Sequence, residues 1–513
     1  DFRHSGNLRT IDERVDSMPP GRFAYTRRGL ERRVLELLPN GRIGEGSAST
    51  ECFWTLDEDE LGQRLVLTGR EEETCWLRRQ EDGAWRGDWL RFEQTPVELV
   101  KLAGPPYIPQ AARDARPRLL FISPVEPKDA GNGLAMRAAN LLRTLVDTHR
   151  VSLLIVPLYG AGASKTLPQW ISDRCEDVRW ARQPAIAGET TTSIEDQRQR
   201  QEAWVDEAAR CYWREHFDVI HVFRLSSLSI AAPYLDEAHH ASATWRLDID
   251  DVESRTGHRL AALYASRNLN EASGNATKTA QSAEALERLV IETWDRVYVC
   301  SERDKRFLEQ RVPSRRAEIV AMPNRVSLPR HPASPPRRSP FTILYVGTLD
   351  YFPNADGAIW FCREVIPAMR ELSPARFRFQ IIGTGAPLSV QSLGYLPDVE
   401  VVGEVPSMDE WYERADLVVV PIRAGGGTRI KMLEALSFER PVVATSMAAE
   451  GLEVESGEHL LLADRPIPFA RCCLSLMQDR ALADRLARNG RSLVEERYAL
   501  APVTSANSRL LTK

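Results

Sequence analysis

The sequence predicts an α/β protein in which two doubly wound, Rossmann-like domains face a cleft and a small antiparallel β domain precedes them. From residue 118 onward, short apolar runs alternate with long helical stretches, which is typical of parallel sheets covered on both faces. A proline-rich stretch at residues 324–340 interrupts this alternation, and a second series then begins. Residues 1–105 lack the alternation and contain short strand patterns instead.

Residues 1–105 are predicted to form the small β-rich accessory domain. Asp82 and Gly83 are a strong hairpin signal, because this pair favours the tight turn between two antiparallel strands. The core of a small barrel or sandwich is expected to contain Trp54, Trp76, Trp85 and Trp89. The predicted strands lie near residues 51–56, 64–68, 73–79 and 84–92.

Residues 117–325 are predicted to form the first Rossmann-like domain, which would line one side of the cleft and bind the acceptor. Its strand patterns are residues 118–123, 150–158, 218–223, 242–250, 296–301 and 318–324. The longest helical patterns between them are residues 194–215 and 253–293.

Residues 341–490 are predicted to form the second Rossmann-like domain. Its six apolar runs are residues 341–348, 378–385, 399–405, 417–422, 441–445 and 460–464. Ligands of doubly wound sheets bind beyond the carboxyl ends of the strands, so both domains are expected to line the cleft. Residues 491–513 are predicted to form a C-terminal helix that packs back on the N-terminal half.

The composition excludes several functional classes. The net charge is -5, so no excess of positive charge attracts nucleic acid. No apolar run approaches the roughly 18 residues of a membrane-spanning helix. No signal peptide is visible, and the eight cysteines have no zinc-site spacing. We expect a cytoplasmic protein with free thiols, with peripheral attachment to the inner face of the membrane as an option.

Three glycines and two cations follow the apolar run at residues 417–422. The glycines, at residues 425–427, let backbone amides approach a ligand, and a helix that starts near Thr428 adds unpaired N–H groups. Arg429 and Lys431 add two positive charges to these donors. A phosphate or diphosphate would satisfy them, and Glu434 could accept hydroxyl groups of a ribose. The alternative is a surface helix with solvated cations.

This segment resembles the donor site of retaining, group-1 type (family 4-like) glycosyltransferases, which have the GT-B fold. The matching stretch is PIRAGGGTRIKMLEALSFERPVVAT, residues 421–445. Residues 344–367 and 401–422 resemble the first glycine turn and the base-reading segment of the same domain. Two stretches, WRLDIDDVES at residues 245–254 and CSERD…MPN between residues 300 and 324, resemble the N-terminal half of a branch that is often linked to bacterial surface polysaccharides. The resemblance covers about residues 117–500 and leaves out the first 105.

The resemblance implies a nucleoside diphosphate sugar as donor and no metal or other cofactor. Glu434 would bind the ribose, and Arg429 and Lys431 would stabilise the departing diphosphate. The other donor-binding residues implied are Gly347, Thr348, Gly403, Glu404, Val405, Gly426, Gly427 and Thr428. The chain departs from the family at Gly426, where members usually carry a second glutamate. It also lacks the usual cations after the first glycine turn, and Arg429 and Lys431 are expected to replace them.

The N-terminal half offers a second glycine turn. Gly131, Asn132 and Gly133 precede a helix, but Met136 stands where a dinucleotide fingerprint needs its third glycine. The resemblance places this turn under the acceptor or the donor phosphate. The alternative is a plain helix N-terminus.

His221, at the end of the strand at residues 218–223, is a candidate catalytic residue. Family members often carry two histidines here, and the second position is Phe223 in this chain. A core histidine is the alternative role for His221.

Asp248, Asp250, Asp251 and Glu253 form an acidic stretch after the strand at residues 242–250. An Asp-x-Asp pair can hold a divalent metal, but the resemblance argues against a metal here. We expect one aspartate to cap the next helix. Asp250 is expected to face the cleft as an acceptor contact or base.

These observations predict an enzyme that moves a sugar from the donor to a glycan, lipid-linked or other acceptor, with retention of configuration. Surface polysaccharide or glycoconjugate synthesis is the expected setting. Two alternatives stay open, a nucleotide-sugar epimerase and a non-catalytic nucleotide-sugar-binding partner subunit. The β domain is a candidate surface for a protein or membrane partner.

Overall fold

The computed structural model describes residues 19, 21–27, 31–38, 41, 43, 51, 53–69, 73–90, 95–102, 116–158, 167–181, 205, 211–212, 215, 217–235, 243–329 and 340–500. The chain divides into two compact units. The first unit consists of Asp1–Arg118, Ala181–Asp218 and Ser229–Ala243. The second unit consists of Leu119–Trp180, Val219–Leu228 and Thr244–Lys513.

The described part of the first unit contains a seven-stranded antiparallel sheet with the strand order β2-β1-β7-β6-β5-β4-β3. The strands are β1 Gly21–Arg27, β2 Glu31–Leu37, β3 Phe53–Asp59, β4 Gly62–Thr68, β5 Glu73–Arg79, β6 Trp85–Trp89 and β7 Pro96–Lys101. The hairpin predicted at Asp82 and Gly83 is confirmed between β5 and β6. Trp54 and Trp85 lie in the core, and Trp89 packs against it. Trp76 is half-buried, because side chains alternate along β5 and its neighbours Cys75 and Leu77 point into the core.

The first parallel sheet has the order β10-β9-β8-β11-β12-β13-β14. Its strands are β8 Arg118–Ser123, β9 Arg150–Ile155, β10 Asp177–Trp180, β11 Val219–Phe223, β12 Thr244–Asp250, β13 Arg296–Val299 and β14 Glu318–Ala321. The helices are α1 Gly133–Thr148, α2 Gln169–Arg174, α3 Leu228–Leu235, α4 Glu253–Ser266, α5 Asn270–Thr293 and α6 Glu302–Arg311, with a 3-10 turn at Leu225–Ser227.

The second parallel sheet has the order β17-β16-β15-β18-β19-β20. Its strands are β15 Phe341–Val346, β16 Phe377–Ile382, β17 Val399–Gly403, β18 Leu417–Val420, β19 Val442–Ala444 and β20 Leu461–Leu462, each within a predicted apolar run or overlapping it. The helices are α7 Phe352–Trp360, α8 Ile366–Leu372, α9 Leu388–Gln391, α10 Asp409–Arg414, α11 Ile430–Ser437, α12 Pro466–Gln478 and α13 Arg480–Arg497. A π turn at Phe361–Val365 joins α7 to α8, and a 3-10 turn lies at Ser392–Tyr395.

Both parallel sheets have the doubly wound topology that the sequence predicts. In each sheet the first strand in the chain, β8 or β15, lies beside the fourth, β11 or β18. The strand order reverses between these neighbours, and the crevice at the carboxyl ends of such strands is where doubly wound sheets bind ligands. The glycine loop after β18 and the turn after β15 therefore lie at the switch point of the second sheet.

The two longest predicted helical patterns differ in outcome. The helical pattern at residues 253–293 is two helices, because the chain turns at residues 267–269, where Asn268 has a φ of 61°. The pattern at residues 194–215 lies largely outside the described residues.

No helix in the described ranges is long and apolar enough to cross a membrane.

The predicted C-terminal helix at residues 491–513 differs in the structure. α13 begins earlier, at Arg480, and ends at Arg497. Tyr498 and Leu500 then exchange backbone hydrogen bonds of 2.9 Å with Val326, near the end of the first parallel domain. Residues 501–513 lie outside the described part of the chain.

Candidate functional site

The glycine loop after β18 accepts no side chain at its centre. A Cβ atom added to Gly426 would lie 1.9 Å from Oγ1 of Thr256 and 2.9 Å from Oδ2 of Asp251. Gly425 and Gly427 have φ angles of 115° and 67°, which L side chains rarely adopt. The loop of the second parallel domain thus packs directly against α4 and the segment before it in the first.

Lys431 brings two predicted donor segments together. Its ammonium donates to Oδ1 of Asn354 at 2.8 Å, and Nδ2 of Asn354 donates to the carbonyl of Thr348 at 2.8 Å. A Cβ atom on Gly347 would lie 2.8 Å from Nζ of Lys431. The absence of a side chain at Gly347 therefore lets Lys431 reach the turn after β15.

Lys431 is held in an environment that disfavours its charge. Burial, together with the nearby charge of Arg429, lowers the pKa of Lys431 to about 7, against the opposing effect of Glu434. Its ring contact with Tyr345, at 5.3 Å to the centroid, adds only a weak attraction. A bound anion would restore the charge.

Arg429 is the N-cap residue of α11, so the helix starts two residues later than predicted. Its guanidinium donates back to the carbonyl oxygens of Gly426 and Gly427. The Arg429 guanidinium and the Tyr351 hydroxyl both lie beside Gly425. A Cβ atom on Gly425 would be 2.9 Å from Nη2 of Arg429 and 3.4 Å from the Tyr351 hydroxyl. Arg429 therefore stabilises the loop and keeps its charge beside it.

Glu434 lies in the second turn of α11 and is held by Tyr412. The Tyr412 hydroxyl donates to Oε2 of Glu434 at 3.1 Å, and its ring stacks on Phe438 at 5.2 Å. Burial raises the pKa of Glu434 to about 7, with Tyr412 and Lys431 opposing the shift. Gly403 ends β17, and Glu404 and Val405 follow it at the same carboxyl edge of the sheet.

The glycine turn of the first parallel domain reaches the same place. Asn132 caps α1, its Oδ1 accepting from the backbone N–H of Leu134 at 2.8 Å. A Cβ atom on Gly133 would lie 3.3 Å from Cδ1 of Ile430, which lies between Arg429 and Lys431. Gly131 has a φ of 103° and no atom within 4 Å of an added Cβ.

A chain of hydrogen bonds links the two parallel domains below this turn. Arg137 donates to both carboxylate oxygens of Asp248, at 3.0 and 2.8 Å, and to Oδ1 of Asn324 at 3.0 Å. Nδ2 of Asn324 donates to Oγ1 of Thr428 at 2.8 Å. Thr428 is thereby fixed from the opposite domain, and Arg137 is a buried positioning group.

Two adjacent strand ends hold strained residues. Arg224 and Asp250, after β11 and at the end of β12, have φ angles of 71° and 65°. The guanidinium of Arg224 contacts Asp251 at 2.6 Å, Glu253 at 2.9 Å and the Ile249 carbonyl at 3.0 Å. Burial raises the pKa of Asp250 to about 6, with Arg137 and Arg224 opposing the shift. No described group of three or more His, Cys, Asp or Glu side chains could hold a metal ion.

His221 lies apart from the other candidates. It is fully buried, 5.3 Å from the ring of Phe121 and 5.4 Å from that of Tyr298. Burial holds the pKa of His221 well below its usual value, and neither ring nitrogen has a hydrogen-bond partner among the described residues. This placement fits the core histidine that the sequence left open as the alternative.

Comparison with known proteins shows a family match in the second parallel domain. Residues 340–479 match the family of glycosyl transferases group 1. The chain carries a group 1 glycosyltransferase domain. The glycosyltransferase domain contains the predicted donor-binding segments from Gly347 to Glu434.

One curated relative matches part of the chain, and two solved structures share its fold. An uncharacterized 44.6 kDa protein in the cps region of Klebsiella pneumoniae is 26% identical over 164 residues, 30% of this chain and 42% of that protein. Sucrose-phosphate synthase from Thermosynechococcus elongatus has a TM-score of 0.58 at 16% identity, covering 77% of this chain and 97% of its own. HepE from Anabaena, solved with UDP and glucose, has a TM-score of 0.52 at 14% identity, covering 77% and 98%. The fold is therefore GT-B.

The sequence did not identify Asn354, Thr256 and Asn324 as site residues. Asn354 and Thr256 lie on helices whose partners are distant in the chain, and only the folded structure reveals the contacts. Asn324 follows β14 in the MPN stretch that carried part of the family resemblance, and that match was the available signal.

Proposed function

We propose that this protein transfers a sugar from a nucleoside diphosphate sugar to a glycan, lipid-linked or other acceptor, with retention of configuration. The observation that carries the proposal is the meeting of Lys431 with the turn at Gly347, one helical turn from the Glu434 and Tyr412 pair. A cation beside side-chain-free backbone suits a diphosphate, and a carboxylate suits the two hydroxyls of a ribose.

The order of these groups matches the order of the donor. Glu434, Lys431 and the glycine loop follow one another toward the N-terminus of α11, and three residues of helix rise about 5 Å. Ribose, diphosphate and sugar follow one another in the same order in a nucleoside diphosphate sugar. The proposed donor therefore directs its sugar toward Gly426 and the first parallel domain.

The proposed mechanism stabilises the departing diphosphate without a protein nucleophile or a metal. Lys431, Arg429 and backbone amides would stabilise the charge that develops on the leaving group. Attack of the acceptor hydroxyl on the face from which the diphosphate leaves gives retention, with a leaving-group oxygen taking its proton. Asp250 is proposed as an acceptor contact.

Surface polysaccharide synthesis at the cytoplasmic face of the membrane is the proposed setting. The relative from the cps region of Klebsiella pneumoniae supports it. UDP is the first nucleotide to test, because HepE was solved with UDP and glucose.

Thermal shifts and released nucleotide test the donor site. UDP, GDP and their glucose, galactose, N-acetylglucosamine and mannose derivatives are added to the full chain, with glycan and lipid-linked acceptors in the turnover assay. We expect a shift with one nucleotide, and release of that nucleotide when an acceptor is present. The anomeric coupling in the NMR spectrum of the product tests retention.

Two results contradict the proposal in different ways. No thermal shift with any nucleotide would refute the donor site itself. Binding without turnover across all acceptors would favour the non-catalytic partner subunit, and interconversion of donor sugars without an acceptor would favour the epimerase.

A further inference from the structure

We propose that Asp251 accepts a hydrogen bond from a hydroxyl group of the transferred sugar and so helps to select that sugar. The inference rests on the proposed function and deepens it. Asp251 belongs to the first parallel domain, yet its carboxylate lies against the glycine loop of the second. Its Oδ2 would be 2.9 Å from a Cβ atom on Gly426, and its own Cβ would be 3.1 Å from one on Gly427.

The position of the sugar follows from the order of the groups on α11. With the ribose at Glu434 and the diphosphate at Lys431 and Gly347, the next group of the donor lies at Gly426 and Gly427. These two residues carry no side chain that could read a hydroxyl pattern. The carboxylate that faces them, Asp251, comes from the opposite domain.

Asp251 is held rigidly in this position. Its Oδ1 accepts from Arg224 at 2.6 Å, and its Oδ2 accepts from Oγ1 of Thr256 at 3.1 Å. A carboxylate has about four acceptor sites, so each oxygen retains one for a further donor. A positioning network of this kind fixes where a sugar hydroxyl must lie.

The charge of Asp251 suits an acceptor of hydroxyl protons. Burial raises its pKa, but the charge and hydrogen bond of Arg224, with contributions from Thr256 and Arg429, outweigh that effect and hold the pKa below its usual value. Asp251 is therefore ionised, and hydrogen bonds to an ionised carboxylate are stronger than those to neutral groups.

Each of the neighbouring carboxylates faces an arginine of its own domain. Both oxygens of Asp248 accept from Arg137, deep in the domain. Glu253 pairs with Arg224, and Asp250 lies 3.3 Å from Arg137. Of this acidic stretch, Asp251 is the member whose carboxylate contacts Gly426.

The test compares a sugar nucleotide with its free nucleotide in Asp251→Asn. Titration calorimetry is done with UDP-glucose and UDP, or with GDP-mannose and GDP if the guanine nucleotide binds. It gives the ratio of the Kd for the sugar nucleotide to the Kd for the free nucleotide. We expect the sugar nucleotide to bind about tenfold more weakly or worse, as for loss of a hydrogen bond to a charged group, with the free nucleotide little changed. An unchanged ratio would overturn the inference.

Deoxyfluoro sugars identify the hydroxyl that is bound. Fluorine replaces the hydroxyl at positions 2, 3, 4 or 6 of the UDP-glucose probe and cannot donate a hydrogen bond. At the position read by Asp251, the fluorine and Asp251→Asn should not have additive effects on the Kd. Additive effects at every position would count against the proposal.

Control variants separate binding from folding. Glu287→Gln keeps the side-chain volume at the buried carboxylate that caps α4 through Ser254, and should leave the ratio unchanged. If Asp251→Asn has no cooperative thermal transition, Asp251→Glu keeps the charge beside Arg224, shifts the carboxylate, and should raise the ratio. Failure of both nucleotides to bind the wild type would refute the proposed function, whereas binding with an unchanged ratio would refute only the role of Asp251.

Discussion

Lys431 is buried close to a second cation, Arg429, which disfavours its charged form in the free protein. Burial and the charge of Arg429 lower its pKa to about 7, so the ammonium form is only partly populated near neutral pH. A bound diphosphate would favour the charged form and raise the pKa, so binding would take up a proton. The affinity for nucleotide should therefore fall as pH rises above the pKa of the free lysine.

We predict that the Kd of the wild type for UDP rises about tenfold from about pH 7 to about pH 8.5, because one proton must be taken up. Lys431→Met should bind more weakly near neutral pH and lose this dependence, so that the two proteins converge at alkaline pH. Calorimetry in buffers with different ionisation enthalpies measures the proton uptake directly. A wild-type Kd that is flat over this interval would contradict the low pKa.

Tyr412 is expected to act through Glu434. Its hydroxyl donates to Oε2 of Glu434 at 3.1 Å and so restrains the carboxylate. The stacking of its ring on Phe438 keeps the phenol in place.

We predict that Tyr412→Phe weakens UDP binding by about 1 kcal/mol or more, because Glu434 loses the partner that orients it. Binding of 2′,3′-dideoxy-UDP, which lacks the ribose hydroxyls, should change much less. Equal losses for both ligands would mean that Tyr412 supports the fold rather than ribose recognition.

At the scale of elements, α4 and α5 pack at a glycine. A Cβ atom on Gly257 would lie 2.8 Å from Cβ of Ala280, so the two helices approach more closely than a larger residue would allow. Gly274 on α5 is different, because an added Cβ there would meet no atom within 4 Å.

We predict opposite signs for two matched substitutions. Gly257→Ala should destabilise the protein by about 1–3 kcal/mol through overpacking. Gly274→Ala should stabilise it by about 0.5–1 kcal/mol, because alanine loses less backbone entropy in a helix. Thermal midpoints of the two variants measure the difference, and a stabilising Gly257→Ala would show that the helices can separate at no cost.

The elements also show what sequence patterns can predict. The strands of the second parallel sheet were predicted because strands buried on both faces are continuous apolar runs. β1, β2 and β7 were missed, since charged residues interrupt their apolar patterns, as Arg22 does beside Phe23 and Glu36 does beside Leu35. The four-residue β10 was missed as well, and its DVRW stretch has only two apolar residues.

Contacts within one loop and helix could be anticipated, whereas contacts between residues distant in the chain could not. Glu434 and Lys431 lie on one helix, so their spacing indicated a common site. Lys431 and Asn354 are 77 residues apart, and Asn324 and Thr428 are 104 apart. No local periodicity encodes such pairs, because the first forms only once the second parallel domain has folded and the other only once the two parallel domains have packed together.

At the scale of the molecule, Glu450 joins the two parallel domains. It follows β19 in the second domain and pairs with three arginines of the first, Arg255, Arg259 at 2.5 Å and Arg303 at 2.6 Å. Arg259 also donates to the carbonyl of Gly425 at 3.0 Å. The pairing therefore extends to the glycine loop.

We predict that Glu450→Gln lowers the free energy of unfolding by about 1–3 kcal/mol, because three guanidinium groups lose their shared anion. Glu453→Gln is the control, since its pair with Arg497 is exposed and such pairs contribute about 0–1 kcal/mol. Thermal midpoints and small-angle scattering follow stability and domain separation. Equal midpoints for the two variants would show that the domains are held by other contacts.

The absence of a side chain at Gly426 ties the evolution of one domain to that of the other. Any larger residue there needs the space now filled by Thr256 and Asp251. Homologues with a side chain at this position should therefore carry compensating changes at the other two. A chimera in which residues 340–500 come from such a homologue should be inactive. Activity should return when residues 251 and 256 are also replaced by those of the homologue.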